Sequence, residues 1–340
     1  MIYIDGLPLI SDEFSSKGSE ILSSLLDHPA LTASSNRLKA TPEKKVSFSE
    51  ESPPAKYLYV FQREYATVDP SLVEFVGTDE ATTCVGLVIR NQKTKRTSIS
   101  HMDFVGVVAM GLTKMLSLVV DGDADAILDV HLIGGFDDEP SEIHSGDNGS
   151  GRHVPSGYSL PLCLKIIEAL QNRREIFQLQ TFCVLSHNTK SDSNRNVVPI
   201  VSGFMVEISS GSVMPACFDR TSRCPDEIVR RIRVTVSSGD PRWSNKLLET
   251  YDTFNDRIVV APCSWMADWA EIAFSLQQLS DYDILMRCST SPAAESLDFV
   301  ENERRIWSYL IKYPDWRLTF KDGKSRIFER NPLGCWSRCT

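Results

Sequence analysis

From residue 57 onward, short β-branched runs alternate with stretches whose apolar residues recur every three or four positions, which predicts an α+β protein with helices layered over a mostly antiparallel sheet. YLYVFQREYA (57–66), VEFVG (73–77) and TTCVGLVIR, apolar over 83–90, read as strands. NQKTKRT (91–97) is a polar turn leading into SISHMDF, so these two runs form a hairpin whose far ends meet. A helix follows near 104–119, then a strand in ILDVHLIGGF (127–136) and an acidic loop to about 156. GYSLPLCLKIIEALQNRR (157–174) has helical apolar spacing at Leu162, Ile166, Ile167 and Leu170. FQLQTFCVL, VVPIVSGFMVEI and SVMPACF are three further strands.

Beyond Cys224 the pattern gives helices in PDEIVRRIRVTV and DWAEIAFSLQQLS, a strand in RIVVAPCSW, and a last amphipathic helix in LDFVENERRIWSYLIKYP, with a short polar tail from Lys321. Residues 221–340 are expected to pack on the preceding part as one unit. At the other end, Ile21, Leu22, Leu25 and Leu26 are spaced as a short amphipathic helix, so 1–31 is expected to pack on the main body. Between them, TASSNRLKATPEKKVSFSEESPPAK (32–56) is rich in Ser, Lys, Glu and Pro, which predicts a flexible linker or long surface loop.

With 42% hydrophobic and 24% charged residues, the 340-residue chain has the apolar content of a globular protein of one large or two modest domains. The net charge of -9, with no basic run beyond pairs such as Lys44-Lys45 and Arg304-Arg305, argues against a nucleic-acid partner. MIYIDGLPLI has no basic leader and carries Asp5 within its apolar stretch, unlike a secretory signal. The longest apolar window, Phe104 to Val120, is 17 residues broken by Thr113, Lys114 and Ser117, which reads as a buried helix and not a membrane span. Nine cysteines, an odd count without framework spacing, point to reduced thiols in a cytosolic or nuclear compartment.

No metal or cofactor is expected. His144 and His153 stand nine apart in a polar loop, Cys335 and Cys339 have no second pair, and neither a phosphate-binding Gly-rich loop nor a Gly-x-Ser-x-Gly elbow occurs. The chemistry-bearing residue is Cys84, at the mouth of a strand in DEATTCVGLVIR. A free cysteine in a strand is ordinarily a packed residue, but the hairpin brings it to His101, 17 positions on, making the Cys-His pair of acyl-transfer enzymes. Thr78, Thr82, Thr83 and Asp103 all lie close enough in sequence to orient the imidazole. Gly134-Gly135 either turn backbone N–H groups toward an oxyanion or form a plain turn. His131 reads as a core residue, and Asp137, Asp138 and Glu139 as a solvated loop or an attractor of a cationic amino group.

Five stretches in order, DEATTCVGLVIR, SISHMDF, DVHLIGGFDDE, VPIVSGFMVEISSGSVMPACFDR and CSTSPAAESLDFVENERRIWSYLIKYP, resemble the protein N-terminal asparagine amidohydrolases of eukaryotes. The likeness runs from about Met1 to Ile311 and beyond, interrupted at 32–56. It implies hydrolysis of the side-chain amide of an N-terminal Asn to Asp with release of ammonia, in the cytosol and nucleus. The implied partners are peptides or proteins bearing N-terminal Asn, together with enzymes of the arginylation branch of the N-degron pathway. Cys84 falls at the family's nucleophile position.

Residues 57–220 also resemble, more distantly, the bacterial chemoreceptor glutamine deamidases, which implies a catalytic deamidase core there. The Cys, His and Thr triad of those enzymes would fall at Cys84, His101 and Thr78, with Thr82-Thr83 replacing a Gly-Ser before the cysteine. Such chemistry proceeds through a thioester, with an oxyanion site drawn from the Cys84 amide, Thr83 and the Gly134-Gly135 segment. Because Gln differs from Asn by one methylene, the α-ammonium must also be held, and Asp79, Glu80, Asp103 and Glu295 are the candidate carboxylates. The alternatives are a deamidase of internal Gln or Asn in a partner protein, and a non-catalytic binder of N-terminal residues.

Overall fold

The polar turn folds as the pattern predicts: strands Val85–Asn91 and Thr97–Met102 pair antiparallel, with Gly86 opposite His101 and Arg90 opposite Thr97. The structure is a computed structural model that describes residues 1–9, 18–47, 56–123, 125–138, 157–237, 243, 245–331 and 334–339. The hairpin lies inside an eight-stranded sheet. In spatial order this holds Leu248–Glu249, Glu64–Val68, Thr97–Met102, Val85–Asn91, Ile127–Gly134, Ile176–Cys183, Ile2–Ile4 and Leu7–Pro8.

Pairing is antiparallel from Glu64–Val68 to Ile127–Gly134, then parallel through Ile176–Cys183 to Ile2–Ile4. The central sheet is therefore mixed, where the sequence suggested mostly antiparallel order. The helix Ser159–Gln171 lies between Ile127–Gly134 and Ile176–Cys183 and carries the chain back to run the same way.

All seven residues of Val85–Asn91 are buried, because the sheet is covered on both faces. Val85, Leu87 and Ile89 point to one side, where the helices Gly18–Leu26, Val108–Val120 and Ser159–Gln171 supply Leu22, Leu112, Met115, Leu162 and Ile166. Val88 points to the other, toward Phe204, Val206 and Val76 of a second sheet. That sheet orders Lys44–Val46, Val213–Phe218, Phe204–Glu207, Phe75–Thr78 and Tyr57–Tyr59. The result is a helix, sheet, sheet sandwich, a mixed α+β architecture with several sheets. A further four-stranded antiparallel sheet, Tyr251–Asp252, Arg257–Val260, Arg326–Arg330 and Trp336–Arg338, packs with helices Asp268–Gln277 and Phe299–Lys312 against the same interior. Among the described residues no helix is long and apolar enough to cross a membrane.

Two expectations are corrected here. The stretch 32–56 is not a linker throughout: Pro29–Ala40 is an α-helix and Lys44–Val46 a strand, while 48–55 lie outside the described residues. His28 accepts from the Ala30 amide at the helix start, and Leu31, Ser34, Ser35 and Leu38 are buried. Ser35 donates to the Phe182 carbonyl at 2.7 Å, so serines that look like disorder in composition are small residues packed against a strand. The polar tail contributes Arg326–Arg330 and Trp336–Arg338 to the four-stranded sheet, and Asp281–Cys288, unpredicted, is a helix capped by the Ser280 hydroxyl.

The helix Glu227–Ser237 is fastened to the central sheet by buried charge. Glu64, fully buried, accepts from Arg230 at 2.6 Å and from Arg233 at 2.5 Å, and also from the Phe61 amide at 3.1 Å. Burial alone would raise the Glu64 pKa, but the two guanidinium groups outweigh it and hold the carboxyl below its usual range. Removing one partner of such a cluster leaves uncompensated buried charge. Glu64→Gln is therefore expected to lower unfolding stability by about 3–5 kcal/mol, measured by urea denaturation.

Candidate active site

The nucleophile candidate sits where the chain crosses from one sheet to the other. Thr78 ends strand Phe75–Thr78 of the second sheet, and Val85 begins the cysteine strand of the first. Residues 79–83 span the gap, held by Ala81 N–H to the Ser202 carbonyl at 2.7 Å. Because Gly86 pairs with His101 and side chains alternate faces, Cys84 and His101 share the face turned to the second sheet. Gly86 must be glycine: a Cβ there would lie 2.3 Å from the Phe204 ring, which fills that space. From across the layers, Thr78 Oγ1 meets His101 Nδ1 at 2.8 Å. His101 is 2% exposed and its Nε2 has no hydrogen-bond partner among the described residues.

Burial pushes the Cys84 thiol well above its ordinary pKa, with Asp103 and Glu295 adding to the effect. Burial likewise lowers His101 to about 4, against the pull of Asp103, Glu80 and Glu64. At neutral pH the resting pair is thus a thiol and a neutral imidazole.

Of the four carboxylates considered for an ammonium, three are already engaged by arginines or amides. Asp79 accepts from Tyr59 at 2.5 Å, from the Phe218 amide at 2.8 Å and from Arg223 at 3.0 Å. Glu80, at φ 61, is gripped on both oxygens by Arg231 at 2.9 and 3.0 Å, and Arg223 lies 2.9 Å from its Oε1. Burial would raise the Glu80 pKa, yet the two arginines hold it below the usual range. Asp103 is paired with Arg63 at 2.8 Å and with Gln62 at 3.2 Å. Glu295 alone of the four has no cation; among the described residues it takes only the Ser289 hydroxyl, and burial raises it to about 7.

The hydroxyls before the cysteine are tied to the C-terminal half. Thr83 Oγ1 lies 3.0 Å from Thr290 Oγ1, and the Ser291 hydroxyl donates to Thr82 Oγ1 at 2.8 Å. The STSPAAE stretch therefore clasps the segment that carries Cys84 and delivers Glu295 beside it. Gly134 pairs with Val85, and a Cβ there would meet the Cys84 carbonyl at 2.7 Å, so close backbone approach accounts for that glycine. Gly135, at φ 57, follows it.

Other candidates lie elsewhere. His131 binds Thr181 at 3.1 Å and is core, as its sequence setting suggests. Asp138 accepts from the Tyr158 and Ser159 amides at 2.7 and 3.1 Å at a helix start, which corrects its reading as an ammonium attractor. Glu139, His144 and His153 lie outside the described residues. Arg63, Arg223, Arg231, Thr290, Ser291 and Glu303 were not singled out from sequence. The spacing of Glu227 and Arg231 on one helix is the sole local hint of the charge network.

The family described as protein N-terminal asparagine amidohydrolase matches residues 47–338. An Arabidopsis thaliana protein of that name is 50% identical with full coverage of both chains. The Sus scrofa protein of the same name is 30% identical over 91% of this chain and 90% of its own. The Mus musculus one is 28% identical over 92% and 91% respectively. The chain belongs to the protein N-terminal asparagine amidohydrolase family.

Proposed function

We propose that the protein hydrolyses the side-chain amide of an N-terminal asparagine to aspartate, releasing ammonia, with Cys84 as nucleophile and His101 as base. The observation that carries this reading is the buried Thr78–His101 hydrogen bond, beside a cysteine on the same sheet face and an uncommitted Nε2. Names of relatives covering most of the chain support the substrate. The likeness of 57–220 to chemoreceptor glutamine deamidases supports the roles within the triad.

With Nδ1–H donating to Thr78 Oγ1, Nε2 takes the thiol proton as Sγ attacks the carboxamide carbon. The tetrahedral oxyanion is met by the Cys84 amide, with Thr83 and the Gly134-Gly135 backbone at its side. Imidazolium returns the proton to nitrogen, the C–N bond breaks, and ammonia leaves a thioester. His101 then deprotonates water, which attacks the thioester; the carboxylate forms and the thiol is restored.

Glu295 receives the α-ammonium. The arriving positive charge cancels one of the two carboxylates that oppose a thiolate at Cys84, so the substrate itself eases formation of the nucleophile. The product, an N-terminal aspartate, enters the arginylation branch of the N-degron pathway in the cytosol and nucleus.

Ammonia release from an Asn-initiated peptide tests this reading. Cys84→Ala and His101→Ala are each expected to abolish it, and full activity in Cys84→Ala would sink the mechanism. A peptide acetylated at its N-terminus should not react; turnover of it would favour the internal-residue deamidase.

Thr78→Val should lower kcat about tenfold, the worth of one buried hydrogen bond. The pH profile carries a further expectation. Glu295, surrounded by Ser289, Glu80, Glu303 and Arg231, is raised to about 7 by burial, so it is neutral below that pH and ionised above it. Since kcat/KM reports the free species, it should rise through about pH 7 and fall as the peptide α-ammonium deprotonates near about pH 8. Glu295→Gln is expected to raise KM.

A further inference from the structure

Beside His101 lies a pocket of about 80 Å³ whose walls include Phe61, Glu80, His101, Arg231, Glu303 and Ile306. Its polar walls are nearly all accounted for. Arg231 spends its Nη groups on Glu80 and its Nε on Glu227 at 3.2 Å, so the charged pair closes on itself. Two groups are left over: the buried Nε2 of His101, and the carboxylate of Glu303, which makes no hydrogen bond or ion pair among the described residues.

The helix Phe299–Lys312 does not neutralise Glu303 with its own cations. Arg304 turns to Asp281 at 2.7 Å and to the carbonyls of Gln277 and Leu279, and Arg305 turns to Glu227 at 2.8 Å. Glu295 shares the same electrostatic neighbourhood, since Glu303 and Glu80 both act on it. Glu303, without an ion pair, thus lines the same pocket as an imidazole nitrogen without a partner, and Glu295, also without an ion pair, lies close enough to feel the charge of Glu303. The space is a small one, a few water volumes across.

We propose that Glu303 is the second carboxylate of the substrate's α-ammonium site, shared with Glu295, and that this pair confines the reaction to asparagine at a chain terminus. The proposal rests on the amidohydrolase reading above. An ammonium brings one positive charge and three N–H donors, enough to satisfy both carboxylates at once. An acetylated or internal asparagine brings a single neutral N–H and leaves two half-buried carboxylates uncompensated, which rejects it.

The same arrangement makes Glu303 unfavourable to the empty fold. Burial raises its pKa to about 7 against the pull of Arg231, with Glu80 adding to the rise. Glu80, Arg231, His101 and Glu295 are the charged and titratable groups around it, with Cys288 at the helix before. A carboxyl raised in the folded state binds its proton there more tightly than in the unfolded chain. Between the ordinary value of 4.5 and about 7 the unfolded chain gives up this proton while the fold keeps it, so stability falls across that window and stays lower above it, and a glutamine at this position relieves that.

The test uses the full chain with Cys84→Ala, which binds without turnover, and titrates an Asn-initiated peptide and its acetylated form by calorimetry at pH 7.5. Adding Glu303→Gln is expected to weaken the free-amine peptide tenfold or more and leave the poor binding of the acetylated one as it was. Glu303→Asp should recover part of the loss. In the chain that retains Cys84, Glu303→Gln should raise KM tenfold or more while kcat changes less than threefold. Its Tm at pH 8 should equal or exceed that of the parent.

An unchanged Kd overturns the proposal, as do equal affinities of the Cys84→Ala chain for the two peptides. A loss of binding that comes with a fall in Tm also overturns it, since that marks a structural role. Failure of the amidohydrolase reading looks different: the parent chain then releases no ammonia, whatever Glu303 does to binding.

Discussion

The antiparallel pairing of Gly86 with His101 is the constraint on which the site depends. A slip of one residue in this register would turn His101 to the helix face and Cys84 away from it. The register is protected because both strands are buried on both faces, with Leu87 and Ile89 in one hydrophobic layer and Val88 and Ile99 in the other. Gly86 adds the second condition. With no side chain there, Phe204 lies against the hairpin, and Thr78, which pairs with Phe204, comes within hydrogen-bond reach of His101.

Around that centre the charges are arranged so that the acidic residues nearest Cys84 in sequence are paired with arginines. The helix Glu227–Ser237 performs most of this, with Arg231 on Glu80 and with Arg230 and Arg233 on Glu64, while Arg223 joins Asp79, Glu80 and Asp298. The carboxylates left without a cation come instead from the C-terminal half, Glu295 and Glu303. The protein thereby contains two classes of acid: those that brace the segment before Cys84, and those left without an ion pair. Burial in the layered interior keeps both Cys84 and His101 neutral, since it disfavours an ion pair between them.

What could be read from the chain alone was whatever local spacing determines. The hairpin was legible because its turn is seven polar residues between two β-branched runs, and from it the shared face of Cys84 and His101 followed by geometry. The helices of the 3.6-residue pattern, Val108–Val120 and Ser159–Gln171, were legible for the same reason. The helix Pro29–Ala40 was not: its buried face is partly serine, and only the strand beside it, offering the Phe182 carbonyl, makes those serines core residues.

The fates of the acidic residues could not be read from the sequence. Asp79 and Glu80 stand beside Cys84 and look like ammonium ligands, but their arginines lie 144 and 151 positions further on and reach them only through the packing of Arg223 and of the helix Glu227–Ser237 that follows it. Glu303 sits in an ordinary amphipathic helix, and nothing in its neighbours marks it until the fold turns it into the pocket beside His101. The sequence by itself determined the hairpin and the shared face of Cys84 and His101, the residues proposed as nucleophile and base, because these are short-range consequences of alternation and turn chemistry. Which carboxylates are neutralised and which remain open was decided by the tertiary structure alone, because charge compensation depends on distance in space and not along the chain.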